Sequence, residues 1–319
     1  MKKQRLWLFL ILLLAALPVI AQSETTAPDV INLERRGIMP EGIEYDPQGD
    51  QFLVGSLTQG TIFRFGLDGE IQPFIEDEDL ASSVGIEVDE ANNRLLVAVS
   101  QFTAAFGGLG GDVTAAIAAY DLESGERLFF TDLSPLNQEA APFINDVAVD
   151  DQGNAYVTDS SSDALYVVSA DGEASILVSD DRLTSEEFGM NGIVYHPDGY
   201  LLVAVDGLIK IPLDAPQNLT RVETETALRI DGMILTPDYD LVAVSSVGDA
   251  EGRSIVAVRS EDDWATASIV GAVETDGNAT TVAQRGEDFY YTKAYFTNPF
   301  RGVYDIVRVS GSALFGDEE

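Results

Sequence analysis

The sequence contains no cysteine and a single histidine, and these absences exclude several kinds of chemistry. Without cysteine the chain forms no disulfide, has no thiol nucleophile and holds no cysteine-ligated zinc. Lysine and arginine together number 18 against 54 acidic residues, which gives a formal net charge of −36. Such a surface repels nucleic acid phosphates and anionic membranes, so we expect neither as a partner. We attribute the acidity to solubility or to a salty medium rather than to a dedicated electrostatic function.

The first 21 residues have the composition of a secretory signal peptide. A basic start that includes Lys2 precedes a short apolar run at residues 6–17, and small or apolar residues follow up to Ala21. We expect cleavage after Ala21 and an exported protein, periplasmic or extracellular, without stable membrane insertion. The alternative is an uncleaved anchor, although the run is short for a spanning helix. Residues 22–29 are expected to form a flexible leader.

Helical periodicity is almost absent, and a repeated strand motif takes its place. The repeats recur at a period of roughly 40–50 residues, and their markers are Gly42, Gly85, Val147, Gly192, Gly232 and Val282. Each repeat has an apolar strand, a tight turn such as residues 196–199, two further strands and a glycine-bearing turn before a fourth. The pattern predicts an all-β, six-bladed β-propeller over residues 30–312, with four-stranded antiparallel blades around a central channel. Residues 313–319 are expected to form an acidic tail.

Three segments depart from the repeat. The strand-like segment Val30–Leu33 precedes the first blade, and we expect it to supply the outer strand of the last blade and close the ring. Residues 102–119 are rich in glycine and alanine and predict a long insertion in the second blade, either a lid or a merely tolerated loop. The best helical candidate, residues 180–188, is a short turn at most.

Polar residues with oxygen donors stand at the start of the inner strand in four repeats. Because inner strands of a propeller meet around one channel, these side chains are expected to converge there. The four are Glu41, Asn145, Asn191 and Asp231. Two carboxylates and two amide carbonyls suit Ca²⁺, whereas zinc prefers histidine or cysteine. We therefore predict these four residues as ligands of Ca²⁺ or another divalent cation, and the alternative is a structural calcium that only pins the blades together.

Other residues near these positions allow two interpretations. At the corresponding place in the second and sixth repeats, Ser82, Ser83, Thr280 and Thr281 are either water-mediated ligands or plain strand ends. Large apolar residues flank the motifs and either line a substrate pocket or belong to the core: Phe143, Met190, Met233, Tyr290 and Tyr291. The single histidine, His196, is expected to be a structural turn residue.

The four motifs resemble the calcium-ligand motifs of the gluconolactonase, or senescence-marker-protein, superfamily of six-bladed propellers. This superfamily also includes strictosidine-synthase-like proteins, diisopropyl-fluorophosphatase and the paraoxonases. The matching segments are Pro40-Glu41-Gly42, Asn145-Asp146, Asn191-Gly192-Ile193 and Asp231-Gly232-Met233. The resemblance runs from Pro40 to Val309. The chain departs from the pattern at Ile43, where many lactonase relatives carry proline, and one histidine cannot form a paraoxonase-like dyad.

The resemblance implies a catalytic Ca²⁺ that polarises a lactone carbonyl or a phosphoryl oxygen, with Asp231 as general base. We therefore predict a Ca²⁺-dependent hydrolase of the lactonase or esterase type, acting on a lactone, a related ester or a phosphotriester. The alternative is a non-enzymatic binding or scaffold propeller with a purely structural calcium. The expected partner is a small-molecule substrate, and the protein is expected to be a monomer.

Overall fold

The computed structural model describes residues 27–101, 115–137, 142–186 and 188–316. The predicted signal peptide and most of the predicted leader lie outside these ranges. Asp29, the last leader residue, accepts a hydrogen bond from Arg308 at 2.7 Å. In the described part of the chain, the helices are all too short or too polar to cross a bilayer.

The described chain is built almost entirely from short antiparallel strands in groups of four. Strand β1 (Val30–Leu33) precedes three such groups. The first group is β2 (Ile43–Asp46), β3 (Gln51–Val54), β4 (Ile62–Phe65) and β5 (Gln72–Ile75). The second is β6 (Ser82–Asp89), β7 (Arg94–Ser100), β8 (Ala115–Asp121) and β9 (Arg127–Asp132). The third is β10 (Ile144–Val149), β11 (Ala155–Asp159), β12 (Ala164–Val168) and β13 (Ala174–Ser179).

The next eight strands form one sheet made of two such groups. The first group is β14 (Ile193–His196), β15 (Tyr200–Ala204), β16 (Leu208–Pro212) and β17 (Thr220–Thr224). The second is β18 (Leu228–Leu235), β19 (Leu241–Val247), β20 (Ser254–Arg259) and β21 (Thr266–Glu274). A short parallel pairing of the two outer strands, Glu223 with Thr266 and Thr224 with Ala267, joins them.

The last sheet is assembled from both ends of the described chain. Strands β22 (Ala279–Arg285), β23 (Asp288–Lys293) and β24 (Tyr304–Ser310) form a meander, and β1 pairs antiparallel with β24. The predicted role of Val30–Leu33 as an outer strand that closes the last group is confirmed. The short helix α1 (Gly311–Phe315) follows, and its Leu314 is buried. The acidic tail was predicted to begin at residue 313, which lies inside this helix.

The first strands of the groups pack side by side in the cyclic order β2, β6, β10, β14, β18 and β22, with β22 returning to β2. Apolar side chains fill the space between neighbouring sheets; Phe52 of β3 and Tyr290 of β23, for example, have ring centroids 4.7 Å apart. Because both faces of each sheet meet a neighbour, central strands such as β15 and β7 are buried along their whole length. The predicted all-β, propeller-like arrangement is confirmed.

Short segments between strands follow the turn chemistry of the sequence. The turn between β14 and β15 ends at Gly199, whose φ of +87° favours glycine. His196 is buried in the same turn and stacks on Tyr200, with centroids 4.4 Å apart, as expected of a structural residue. The segment predicted as the best helical candidate, residues 180–188, contains one turn of 3-10 helix, Asp181–Leu183. Two further 3-10 turns in the described chain are Glu90–Asn92 and Pro216–Asn218.

The predicted insertion at residues 102–119 is wrong at its end. Residues 115–119 belong to β8, where Ala115 to Ala119 are buried between neighbouring sheets. Their small apolar side chains suit a strand packed on both faces, and their alanine content resembled that of the preceding segment. Residues 102–114 lie outside the described residues.

Candidate functional site

The four predicted site residues line a single cavity of about 800 Å³. Glu41 and Asn191 lie just before β2 and β14, and Asn145 and Asp231 lie within β10 and β18. The structure therefore brings together side chains that lie within or just before four inner strands. Their roles as metal ligands, and that of Asp231 as a catalytic group, stay predictions.

A close approach of two inner strands positions Asn191 beside Asp231. The amide nitrogen of Gly192 donates to the carbonyl oxygen of Asp231 at 3.0 Å. A Cβ atom on Gly192 would collide with that same carbonyl oxygen, so glycine is needed for this contact. The side chain of Asn191 then donates from Nδ2 to Asp231 Oδ1 at 2.9 Å.

The second carboxylate oxygen of Asp231 is bound by an arginine that the sequence did not single out. Arg253 precedes β20, and its Nη1 forms a salt bridge with Asp231 Oδ2 and donates to the carbonyl oxygen of Ala279 at 2.6 Å. The Asp231 side chain is 12% exposed and that of Arg253 is 33% exposed. Both oxygens of Asp231 are thus engaged and its charge is compensated.

Glu41 is the second carboxylate of the predicted set and is 8% exposed, whereas Asp206, a further carboxylate that lines the cavity, is exposed. Within the described part of the chain, none of the cationic side chains forms a salt bridge with Glu41. Burial, together with the charges of Asp231 and Asp146, raises the pKa of Glu41 well above its usual value, and Arg253 offsets part of the rise.

The backbone of Glu41 is fixed by two threonine hydroxyls of the last sheet. Thr280 and Thr292 donate to its carbonyl oxygen at 3.1 and 2.9 Å. Ser82 likewise donates to a backbone carbonyl, that of Leu57, at 2.7 Å. Thr280 and Ser82 therefore hold backbone segments together, as their interpretation as strand ends requires.

Asn145 is buried and oriented by a relay of hydrogen bonds. Its Nδ2 donates to the hydroxyl of Ser160 at 2.9 Å, and that hydroxyl donates to the carbonyl oxygen of Met190 at 2.6 Å. Because one N–H of the amide is engaged in this way, Asn145 can offer a ligand its amide oxygen and its second N–H.

Apolar and aromatic side chains form most of the remaining wall of the cavity. They are Met39, Leu57, Val84, Phe143, Phe188, Ile230, Phe296, Pro299 and Phe300. Among the five flanking residues proposed from sequence, Phe143 lines this cavity, Met233 lines another, and the other three lie in the core. Sequence reasoning missed Phe188, Phe296 and Phe300, because they lie in irregular segments outside the repeat motif.

A second cavity, of about 450 Å³, lies beside the same inner strands and is acidic. Glu44, Glu87, Glu90 and Asp146 line it. Burial and the neighbouring carboxylates raise the pKa of Glu44 to about 8, burial raises that of Asp146 to about 7, and burial also raises that of Glu87. The sequence contains a signal for this second, acidic cavity. The segments Gly42-Ile43-Glu44 and Gly85-Ile86-Glu87 place a glutamate at the same position of two repeats.

The donor types at the first cavity suit calcium, but their arrangement does not. Asn191 turns its amide nitrogen, which is not a calcium ligand, toward Asp231 Oδ1, so that the amide oxygen does not face this carboxylate. The guanidinium of Arg253 occupies the other oxygen of Asp231 and adds a positive charge. Across the described ranges, no three carboxylate or imidazole side chains are grouped so as to hold a metal ion. Calcium therefore does not fit the site as Arg253 leaves it.

Comparison with known proteins finds a lactonase that is similar to part of this chain. No protein-family model matches the chain. The lactonase drp35 of Staphylococcus aureus is 30% identical to it over 152 residues. The match covers 46% of this chain and 41% of the lactonase, so it spans less than half of either protein.

Solved structures match over nearly the whole chain. The allergen Mala s 1 of Malassezia sympodialis has a TM-score of 0.74 at 18% identity, covering 90% of this chain and 97% of the allergen. A gluconolactonase of Xanthomonas campestris has a TM-score of 0.60 at 15% identity, covering 88% and 89%.

A regucalcin of Agrobacterium tumefaciens, described as a calcium-binding protein, has a TM-score of 0.56 at 14% identity, covering 87% of this chain and 93% of the regucalcin. At these identities the structural likeness shows the fold. The resemblance indicated by the four sequence motifs is confirmed: the structural neighbours of this chain include gluconolactonase and regucalcin propellers, and part of its sequence is similar to a lactonase.

Proposed function

We propose that the first cavity binds a small neutral molecule containing a lactone or related ester group and hydrolyses it. The observation that carries the proposal is the asymmetry between the carboxylates of Glu41 and Asp231. Asp231 is paired with a cation, whereas Glu41 is buried at the cavity wall and has no cationic partner among the described side chains. The names of the lactonase and gluconolactonase relatives support the substrate class.

Glu41 is the group best placed to take a proton from an attacking water. The water oxygen bonds to the carbonyl carbon while its proton passes to Glu41, and the ring C–O bond then breaks. The leaving oxygen takes that proton back, so that water and lactone give a hydroxy acid. Asn145 and the apolar wall would orient the substrate and exclude bulk water.

The predicted calcium-dependent form, with Asp231 as the base, remains the alternative mechanism. It requires Arg253 to leave Asp231 and Asn191 to turn its amide. Export, the periplasmic or extracellular location and the monomeric state also remain predictions.

The site would then lie at the mouth of a channel in a six-bladed propeller. We count the two halves of the eight-stranded sheet as separate blades, because only two parallel residue pairs join their outer strands. The cyclic packing of the six inner strands supports this count.

Hydrolysis of a panel of lactones and aryl esters by the purified chain tests the function. We expect turnover of at least one lactone, a loss of kcat of about 100-fold or more in Glu41→Gln, and a smaller loss in Asp231→Asn. Glu126→Gln, at an exposed residue between β8 and β9, is the matched control and should behave as wild type. Loss in Asp231→Asn alone would instead support Asp231 as the base, and saturable binding without turnover would support the non-enzymatic alternative.

A further inference from the structure

Arg253 lies where a positive charge would be needed in the predicted metal site. We propose that Arg253 is the resident cation beside Asp231, that it excludes calcium, and that the site works without a divalent metal. The catalytic part of this inference rests on the proposed hydrolysis, whereas the exclusion of calcium does not.

The position of the guanidinium is fixed from two sheets. Its Nη1 contacts the carboxylate of Asp231 in β18 and the carbonyl oxygen of Ala279 at the start of β22. Ala279 is fully buried, so Arg253 also satisfies a carbonyl that water does not reach. With one nitrogen anchored in this way and a third of the side chain exposed, the remaining donors of Arg253 are available to a ligand in the cavity.

Charge balance explains why a second cation is disfavoured. Calcium sites set their affinity through the number of carboxylates that surround the ion. Here Glu41, Asp206 and Asp231 supply at most three negative charges, and Arg253 and Arg229 supply two positive charges. A divalent ion close to Asp231 would also lie within a few ångströms of the guanidinium, in a cavity where burial weakens solvent screening.

The same guanidinium can polarise the carbonyl group of a substrate, which is the role that a metal ion would otherwise have. Its N–H groups and positive charge can bind the carbonyl oxygen of a lactone and stabilise the negative charge that develops there when water attacks. In this arrangement Asp231 positions Arg253. Glu41 accepts the proton of the attacking water and returns it to the leaving oxygen.

Calcium binding by chelator-treated protein tests the exclusion, with isothermal calorimetry and the calcium-induced change in melting temperature as readouts. We expect no binding to the wild type up to about 1 mM calcium. Arg253→Gln removes the charge and should bind calcium at least about 100-fold more tightly than wild type. Arg253→Lys keeps the charge and should not bind.

Arg229→Gln is the matched control, since Arg229 lines the same cavity but does not pair with Asp231. Binding of calcium by the wild type below about 0.1 mM would overturn the proposal whether or not the variants fold. A folded Arg253→Gln protein that gains no affinity would also overturn it.

Turnover measured with and without chelator separates this inference from the proposed function. Turnover that persists in chelator supports both. Turnover that requires calcium overturns the role of Arg253 and leaves the hydrolase in place. If no turnover is found but the variants bind calcium as expected, the proposed hydrolase function is overturned. The role of Arg253 as the resident cation that excludes calcium then still stands.

Discussion

Replacing Arg94 with methionine should destabilise the fold far more than removal of an exposed ion pair. Arg94 of β7 is 5% exposed, and its Nε contacts the carboxylate of Asp89, which is 3% exposed, at 2.8 Å. Its two terminal nitrogens cross to the third sheet and donate to the carbonyl oxygens of Ala170 at 3.0 Å and Gly153 at 2.5 Å. One guanidinium therefore joins two neighbouring sheets.

The magnitude follows from what the substitution leaves behind. Methionine fills part of the volume of the arginine stem, but Asp89 loses its counter-charge in a buried place and two carbonyl oxygens lose their donor. Removal of one partner of a buried ion pair costs about 3–5 kcal/mol. For a chain of 319 residues this corresponds to a fall in melting temperature of about 5–8 °C.

Arg285→Met is the matched control. Arg285 of β22 also joins two neighbouring sheets, through Asp50 beside β3 at 2.8 Å, but the side chains are 28% and 64% exposed. Solvent screening limits such a pair to about 0–1 kcal/mol. Both variants are compared with wild type by urea denaturation followed by circular dichroism. Equal losses in the two variants, or a loss below about 1 kcal/mol in Arg94→Met, would refute the argument from burial.

Three further predictions concern the cavities and the inner strands. Because the pKa of Glu44 is raised to about 8, the folded state holds more protons than the unfolded state from about pH 4.5 to 8. The free energy of unfolding should therefore fall as pH rises through this range, and it should fall less steeply in Glu44→Gln. Urea denaturation at pH 5 and pH 8 measures both slopes, and an equal fall in wild type and variant would contradict this. Phe143→Ala should raise KM about tenfold for lactones with an apolar substituent and leave kcat nearly unchanged, in steady-state assays where an unsubstituted lactone is the control. Gly192→Ala should cost about 1–3 kcal/mol through its clash with the Asp231 carbonyl, whereas Gly252→Ala, which meets no atom within 4 Å, should melt like wild type.

Much of the fold was predictable because the repeat makes each strand position recur. Turn residues such as Pro197 and Gly199 mark where strands end, and continuous apolar runs such as residues 201–204 mark strands that are buried on both faces. The role of Val30–Leu33 in the last sheet was predictable because the chain has a strand before the first repeat and the last repeat lacks one. The end of the insertion was not predictable, because four of the five residues from Ala115 to Ala119 are alanine and only Ile117 is β-branched, so their composition does not identify a strand.

The site was predictable only where it coincides with the repeat. Glu41, Asn145, Asn191 and Asp231 stand at equivalent positions of the repeat, so their convergence followed from the fold. Arg253 lies in a connection between β19 and β20 that has no counterpart motif in other repeats. Its pairing with Asp231 depends on three-dimensional proximity, which the spacing of residues along the chain does not encode.

The pairing of β1 with β24 has a consequence for how the molecule assembles. Arg308 and Asp29, which bond beside this pair of strands, are 279 residues apart in the chain, so their contact closes a very long loop and is expected to form late. Until then, the edge of β24 is open to any matching strand. At high protein concentration the best match is β1 of another copy, with the same register and the same buried Ile31 and Leu33. Exchange of this strand between copies is therefore the misassembly to which the architecture is most exposed.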